Sequence, residues 1–298
     1  MTYSIVARDD STGELGVAVQ TCFLAVGSIA PWGRPGVGAV ATQAFAELAY
    51  GPRCLDALGC GKSASDALAE AQAADPTADL RQVGVVGADG SIAAVTGELC
   101  VDNAGHVVGE GYTAQANMVS TPEVWGAMAS AFESSTGLLA RRLLAALDAG
   151  EAAGGDARGR MSAALLVVEG NPPEQPGGGT VVDLRVDRSQ DPLGDLARLL
   201  DAADAFSDFD RATDQLFGGD PAGALDTIDR ALVTLPGEED LRLARARALL
   251  ASGATDQGLA ELRALVAHRP TWEIIVRGFA SKGFMTLPEG LSIDAVFD

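Results

Sequence analysis

Basic residues are scarce in this sequence: 21 Lys and Arg stand against 41 Asp and Glu, a formal charge of −20. Phosphate backbones are bound by clustered cations, so nucleic acid and an anionic membrane surface are not expected partners. Histidine is scarcer still, with only His106 and His268, and no Cys-x-x-Cys accompanies them. A zinc site is therefore not expected. A Ser-His-Asp triad would hang on His106 alone, in a segment, AGHVVG, that reads as a turn. The four cysteines (Cys22, Cys54, Cys60, Cys100) are scattered, as expected of reduced thiols in a cytoplasmic protein and not of a disulfide framework. Aromatics make up 5% of the chain, so the core is expected to be built from Ala, Val and Leu. No stretch approaches the roughly 18 uncharged apolar residues of a membrane helix. The start, MTYSIVARDD, lacks the basic region and apolar run of a signal peptide. The expectation is a cytoplasmic protein with no membrane partner.

What is present is ample apolar residue, 47%, and 36 glycines, in a chain of 298 residues. YSIVARD, a DSTGE turn and LGVAVQT predict a β-hairpin at the very start. VGAVATQ at 37–43 predicts a third strand, and CFLAVGSIAP at 22–31 is a further candidate. Residues 44–59 and 63–74 predict helices, the second capped by Ser63. QVGVVGADGSIAAVTG at 82–97 predicts a hairpin turning at Asp89-Gly90, and GYTAQANMVS at 111–120 a strand. A helix is expected to begin around Pro122, followed by another over LLARRLLAALDAGEAAG. SAALLVVEG at 162–170 and VVDLRV at 181–186 predict the last strands, joined by a loop at 171–179. Strands arriving as hairpins, with pairs of helices between them, predict an α+β domain over 1–200 with antiparallel sheets and helices in separate layers.

After Pro192 helical pattern dominates. A shift of 34 residues aligns Leu225 with Leu259, Ile228 with Leu262, Leu232 with Val266 and Pro236 with Pro270. That is the tetratricopeptide period, so residues 201–270 predict a small all-α, tetratricopeptide-like module. The segment 271–298 resembles a short peptidoglycan-binding-like tail.

Two glycine-rich stretches imitate cofactor motifs. Gly59-Cys60-Gly61-Lys62-Ser63 resembles the end of a P-loop, but Asp56 stands where the motif needs its first Gly, and a helix precedes it instead of a strand. Gly33 to Gly38 lacks the dinucleotide spacing. No cofactor is expected.

Thr2 follows the initiator Met, and a small residue there permits removal of the Met. A free N-terminal Thr carries both a hydroxyl and an α-amine whose ordinary pKa of roughly 7.7–8 lets it serve as base. This activation needs no histidine. Ser4, Gln20 and Thr21 on the first hairpin, and Thr42 and Gln43 on the third strand, interrupt apolar strands. They either line a pocket or face solvent. Asn117 is either an oxyanion donor or a turn asparagine. Asp156, Arg158 and Arg160 form a charged turn before a buried strand. That turn either orients the α-amine, binds an anionic substrate group, or is a solvated loop.

MTYSIVARDDSTGELGVAVQT, GVGAVATQAFAELAYGP, the AGH turn, GYTAQANMV and GGDARGRMSAALLVV together resemble the domain-of-unknown-function 1028 family over about residues 1–200. That family is grouped with the N-terminal-nucleophile hydrolases, which cleave amide bonds from a four-layer αββα sandwich. The resemblance implies that fold and points to Thr2 as nucleophile. Ala116 and Met161 stand where the family usually has Gly and Gln, and the 171–179 loop is Pro-rich, departures that bear on substrate contacts and not on the fold. The expected activity is hydrolysis of a small amide or peptide-like substrate. The alternative is a non-catalytic protein of the same fold that binds a peptide through its helical repeats or assembles as a homo-oligomer. A peptidoglycan-directed hydrolase is a third reading, suggested by the tail and opposed by the absence of an export signal.

Overall fold

The structure is a computed structural model that describes residues 2–297, without the side chain of Ala295. The chain divides into two compact units, with the division between Arg198 and Leu199. The first holds two antiparallel sheets. Six strands are ordered β10-β9-β2-β1-β8-β7, from β1 (Thr2–Arg8), β2 (Leu15–Thr21), β7 (Gly105–Gly109), β8 (Tyr112–Asn117), β9 (Ser162–Val168) and β10 (Thr180–Val186). Four are ordered β3-β4-β5-β6, from β3 (Pro31–Arg34), β4 (Gly38–Ala44), β5 (Arg81–Gly87) and β6 (Ile92–Thr96).

The sheets face each other through Val6, Leu15, Val17, Ala39, Ala41, Val86 and Val168. Helices α1 (Tyr50–Gly59) and α2 (Ala64–Ala73) cover the outer face of the four-stranded sheet, with Tyr50, Cys54, Leu55 and Leu68 packed on Val40, Val83 and Val85. Helices α3 (Val124–Ser134) and α4 (Leu139–Ala152) cover the outer face of the six-stranded sheet. In α4 the buried residues Leu139, Leu143, Leu147 and Gly150 recur at helical spacing, which gives one apolar stripe. The central strand β1 is thus buried on both faces. Tyr3, Ile5 and Ala7 point to the helices, while Thr2, Ser4 and Val6 point to the other sheet.

The hairpins at the start and at 82–97 form as expected, as do β4, β8, β9 and β10. Ser63 caps α2, its hydroxyl accepting from the Asp66 amide at 3.2 Å. The glycines before it form a helix-to-helix junction, with Gly61 at φ 83°.

Four local expectations are corrected. Residues 22–31 form no strand over their length. Ala25 adopts φ 53° and opens a short 3-10 turn at Val26–Ser28, and β3 begins only at Pro31. The helix expected from residue 44 starts at Tyr50, because Ala44 at φ 71° turns the chain into a loop, in which the Thr42 hydroxyl donates to the Glu47 carbonyl at 3.2 Å. Pro122 precedes α3 instead of entering its first turn, since Val124 is the first helical residue. His106 lies within β7, paired opposite Gln115, and not in a turn.

The second unit is helical. It takes in the later part of α5 (Pro192–Phe217), then α6 (Pro221–Thr234), α7 (Glu239–Ala251), α8 (Thr255–His268) and α9 (Trp272–Ser281). Helices α6 and α8 are each 14 residues long and begin 34 residues apart. Ile228 and Leu262, equivalent under that shift, are both fully buried. The segment beyond residue 270 packs its Trp272, Val276 and Met285 with Leu250, Leu262 and Leu265 of α7 and α8. Arg247 is buried there, donates to the Phe284 carbonyl at 2.9 Å and stacks over the Phe279 ring. Burial pushes its guanidinium pKa down.

Gly16 on β2 faces α4, and a Cβ there would stand 2.6 Å from Leu143 Cδ1 and 3.3 Å from Leu139 Cδ2. Both leucines are fully buried, so a larger residue has no room. Gly16→Val is expected to destabilise the chain by about 1–3 kcal/mol, measured as a lowered urea midpoint.

Candidate active site at the start of the first strand

Thr2 begins β1 and is only 7% exposed. Its register partner on β8 is Asn117, and its hydroxyl donates to the Thr21 hydroxyl at 3.2 Å. The two hydroxyls stand at one side of a cavity of about 410 Å3. Thr42 and Gln43 complete its polar side, Phe23, Val26, Ile29, Phe45, Leu48 and Met118 form apolar walls, and Arg158 contributes a cation. The volume is in the range of small-molecule sites. Two lining residues, Ala44 and Met118, hold non-glycine backbone at φ 71° and 52°, and Ala25, beside the lining residue Val26, holds 53°. Such conformations cost roughly 1–3 kcal/mol each and gather at ligand sites.

Behind the cavity, between the sheets, lies a buried polar network. Ser4 Oγ donates to Gln43 Oε1 at 2.7 Å and accepts from Gln115 Nε2 at 2.6 Å. Gln43 Nε2 donates to Gln82 Oε1 at 2.7 Å and lies 3.3 Å from the Thr2 carbonyl. Asn117 Nδ2 donates to the same Gln82 oxygen at 2.9 Å and approaches the Thr2 carbonyl at 3.3 Å. Gln82 Nε2 in turn donates to Thr96 Oγ1 at 2.9 Å and to the Ala116 carbonyl at 2.8 Å. Thr96 Oγ1 lies 2.9 Å from His106 Nδ1, and burial pushes the His106 pKa down. Gly84 leaves the room for this network: a Cβ there would stand 2.6 Å from Gln115 Oε1.

Of the residues singled out in the sequence, Thr2, Thr21, Thr42, Gln43 and Arg158 line one cavity. Ser4 is buried in the adjoining network. Asn117 is too: its amide nitrogen serves the Thr2 carbonyl and Gln82, and its Oδ1 is buried without a partner among the described residues. Its side-chain nitrogen thus faces the Thr2 carbonyl and the network. The Asp156 side chain is wholly buried behind Arg158. Its Oδ2 accepts from the Cys22 amide at 2.8 Å and pairs with the Arg158 guanidinium at 3.2 Å. Two residues stand elsewhere. Gln20 is the register partner of Tyr3 and shares its helix-facing side, because strand side chains alternate. Arg160 pairs with Glu151 and Asp191. Gln82 and Gln115 were not singled out, although each is a polar interruption of an apolar strand like Gln43.

The loop at 45–49 is braced from outside the cavity. Arg81 donates to the Phe45 carbonyl at 2.6 Å and to Asp75 at 2.8 Å, and Asp75 also accepts from the Tyr50 hydroxyl at 3.2 Å. The Arg81 hydrogen bond holds the Asp75 carboxyl well below the usual carboxylate range. Burial, with Asp75 alongside, pushes the Tyr50 hydroxyl up to about 12. Among the described residues, no cluster of three His, Cys, Asp or Glu side chains is arranged to hold a metal ion, and no helix is long and apolar enough to cross a membrane.

Residues 2–196 match the family of unknown function DUF1028, and the chain belongs to that family. The crystal structure of protein SPO2555 from Silicibacter pomeroyi, of the same family, is similar, with 36% identity and a TM-score of 0.62. That similarity covers 68% of this chain and 85% of the other. No curated protein matches the chain.

Two outcomes are expected. Gln82→Leu removes the shared acceptor of Gln43 and Asn117, leaving each buried amide nitrogen only its longer 3.3 Å contacts, and lowers stability by about 1–3 kcal/mol, measured by chemical denaturation. Asp75 titrates with a depressed folded pKa, so its contribution is full above its unfolded value of about 4 and is lost as pH falls towards the folded one. The stability difference between the native chain and Asp75→Asn is thus expected to be constant near neutrality and to shrink below about pH 4, read from urea midpoints across pH.

Proposed function

We propose that the first unit is an N-terminal-nucleophile amidohydrolase in which Thr2, freed by removal of Met1, attacks a small amide. The observation that carries this is the Thr2 hydroxyl on the wall of a ligand-sized cavity, at the start of a strand buried between two layers. Two facing antiparallel sheets with a pair of helices outside each support the αββα sandwich of that enzyme class.

In the proposed reaction the Thr2 α-amine takes the hydroxyl proton, and Oγ1 bonds to the substrate carbonyl carbon. The oxyanion is held by a backbone N–H at the cavity wall. The C–N bond breaks, the amine leaves with the proton, and water then cleaves the Thr2 ester and restores the hydroxyl. Gln43 and Asn117 act by position, since both approach the Thr2 carbonyl and fix the residue that carries nucleophile and base together. Asp156 acts on the site through Arg158 and the Cys22 amide.

For residues 201–270 we propose a tetratricopeptide-like module and, within it, a peptide-binding role, supported by the 34-residue recurrence of α6 and α8. The segment 271–298 goes with it, since its Trp272 and Val276 share one cluster with α8.

Intact mass of the native protein is expected to show Met1 absent; retained Met1 in cells sinks the mechanism. In the processed protein, Thr2→Ala is expected to lower amide turnover on the order of 10³-fold or more and to abolish labelling by electrophilic acyl probes. Labelling that survives the substitution refutes Thr2 as nucleophile.

A further inference from the structure

The chemistry of the cavity walls is more specific than an unspecified amide. Phe23, Val26, Ile29, Phe45, Leu48 and Met118 give the walls an apolar majority. Three of them leave large side chains in water, Phe23 at 57%, Phe45 at 53% and Leu48 at 48% exposure. Apolar surface held open around a polar patch is what a ligand with an apolar body would cover.

Charge is distributed just as unevenly. The chain carries −20 overall, yet no carboxylate is among the described lining residues, and the one charged side chain there is Arg158. Its ion pair is oriented: the Asp156 side chain is wholly buried, while the Arg158 side chain is 43% exposed and lines the cavity. The carboxylate lies behind and the guanidinium in front, so the cavity meets the positive end of the pair. Asp156 also accepts from the Cys22 amide, which fixes that orientation relative to Thr21. A guanidinium is suited to a planar carboxylate, with its geometry as well as its charge.

We propose that this site takes an amide with an apolar, aryl- or alkyl-sized body and a carboxylate seated against Arg158. The specificity extends the reading of Thr2 as nucleophile, and its turnover rests on that reading; its binding does not. The overall step adds one water across the amide C–N bond. The acyl carbon gains the hydroxyl and leaves as a carboxylic acid, and the nitrogen gains the proton and leaves as an amine, through the Thr2 ester already described.

The test is calorimetric binding to the full-length Thr2→Ala protein, which cannot turn substrate over. Three probes are used: N-phenylacetylglycine, its neutral amide N-phenylacetylglycinamide, and N-acetylglycine, which keeps the carboxylate and lacks the apolar body. The expected result is that N-phenylacetylglycine binds at least tenfold tighter than either of the others. A further Arg158→Gln substitution is expected to erase the preference for acid over amide, and Arg158→Lys to retain part of it. Thermal melts of both variants establish that they fold. If Arg158→Gln fails to fold, the acid-over-amide ratio in Arg158→Lys decides, since an unchanged ratio there overturns the assignment to the guanidinium. Equal affinity for acid and amide, a preference that persists in folded Arg158→Gln, equal affinity for N-acetylglycine, or no binding of any probe each overturns the proposal. Binding as expected with no hydrolysis of N-phenylacetylglycine by the processed native protein counts against Thr2 as nucleophile and leaves this specificity standing.

Discussion

The Thr2 carbonyl is approached at 3.3 Å by two side-chain amides, Gln43 and Asn117, and both amides donate onward to one oxygen, Gln82 Oε1. That shared oxygen is the constraint on which the site depends. The space between two packed sheets is dry, and a polar group placed there is costly unless it is paired. Four strands contribute its buried amides and hydroxyl: β1 through Ser4, β4 through Gln43, β5 through Gln82 and β8 through Gln115 and Asn117. Each must keep its register for the donors and acceptors to meet, because a one-residue slip would turn the amides to the opposite face. The network therefore ties the two sheets together at the end where Thr2 stands.

Apolar packing supplies the driving force, and the amides supply the alignment. Away from the network the same inter-sheet space is filled by Val6, Val17, Val86 and Val168, which would tolerate small sliding of one sheet on the other. The hydrogen bonds that cross between the sheets, 2.7–2.9 Å long, would not. The polar cluster thus gives orientation to a residue whose chemistry depends on it, while the valines give stability at the far end of the sandwich.

Much of the fold was legible because its signals are local. Turn residues at 9–14 and 89–90, alternating apolar residues and a Ser63 cap specify hairpins and helix ends without reference to the rest of the chain. The segments that departed from expectation do so for tertiary reasons. CFLAVGSIAP has the composition of a strand, but Ser162 bonds the Val26 amide and the Phe23 carbonyl and holds it as a turn. The helix expected from residue 44 is delayed because Ala44 is held at positive φ, which no propensity of alanine announces. For the site, the place directly behind the initiator Met led to Thr2, and polar interruptions in apolar strands led to Thr21, Thr42 and Gln43. The same rule failed to separate Gln20, because whether its strand face meets a sheet or a helix is decided by layers that only the assembled fold defines.

One carboxylate, that of Asp156, grips both the Cys22 amide and the Arg158 guanidinium. In mechanical terms, two segments distant in sequence are welded at that point. The wall beginning at Phe23 and the cation at the rim share an anchor, so displacement of one carries the other. Another part of the wall, at 45–49, is fastened to the scaffold through a different residue, Arg81. The cavity is thus framed by two independently mounted segments, and a change at one mount need not move the other.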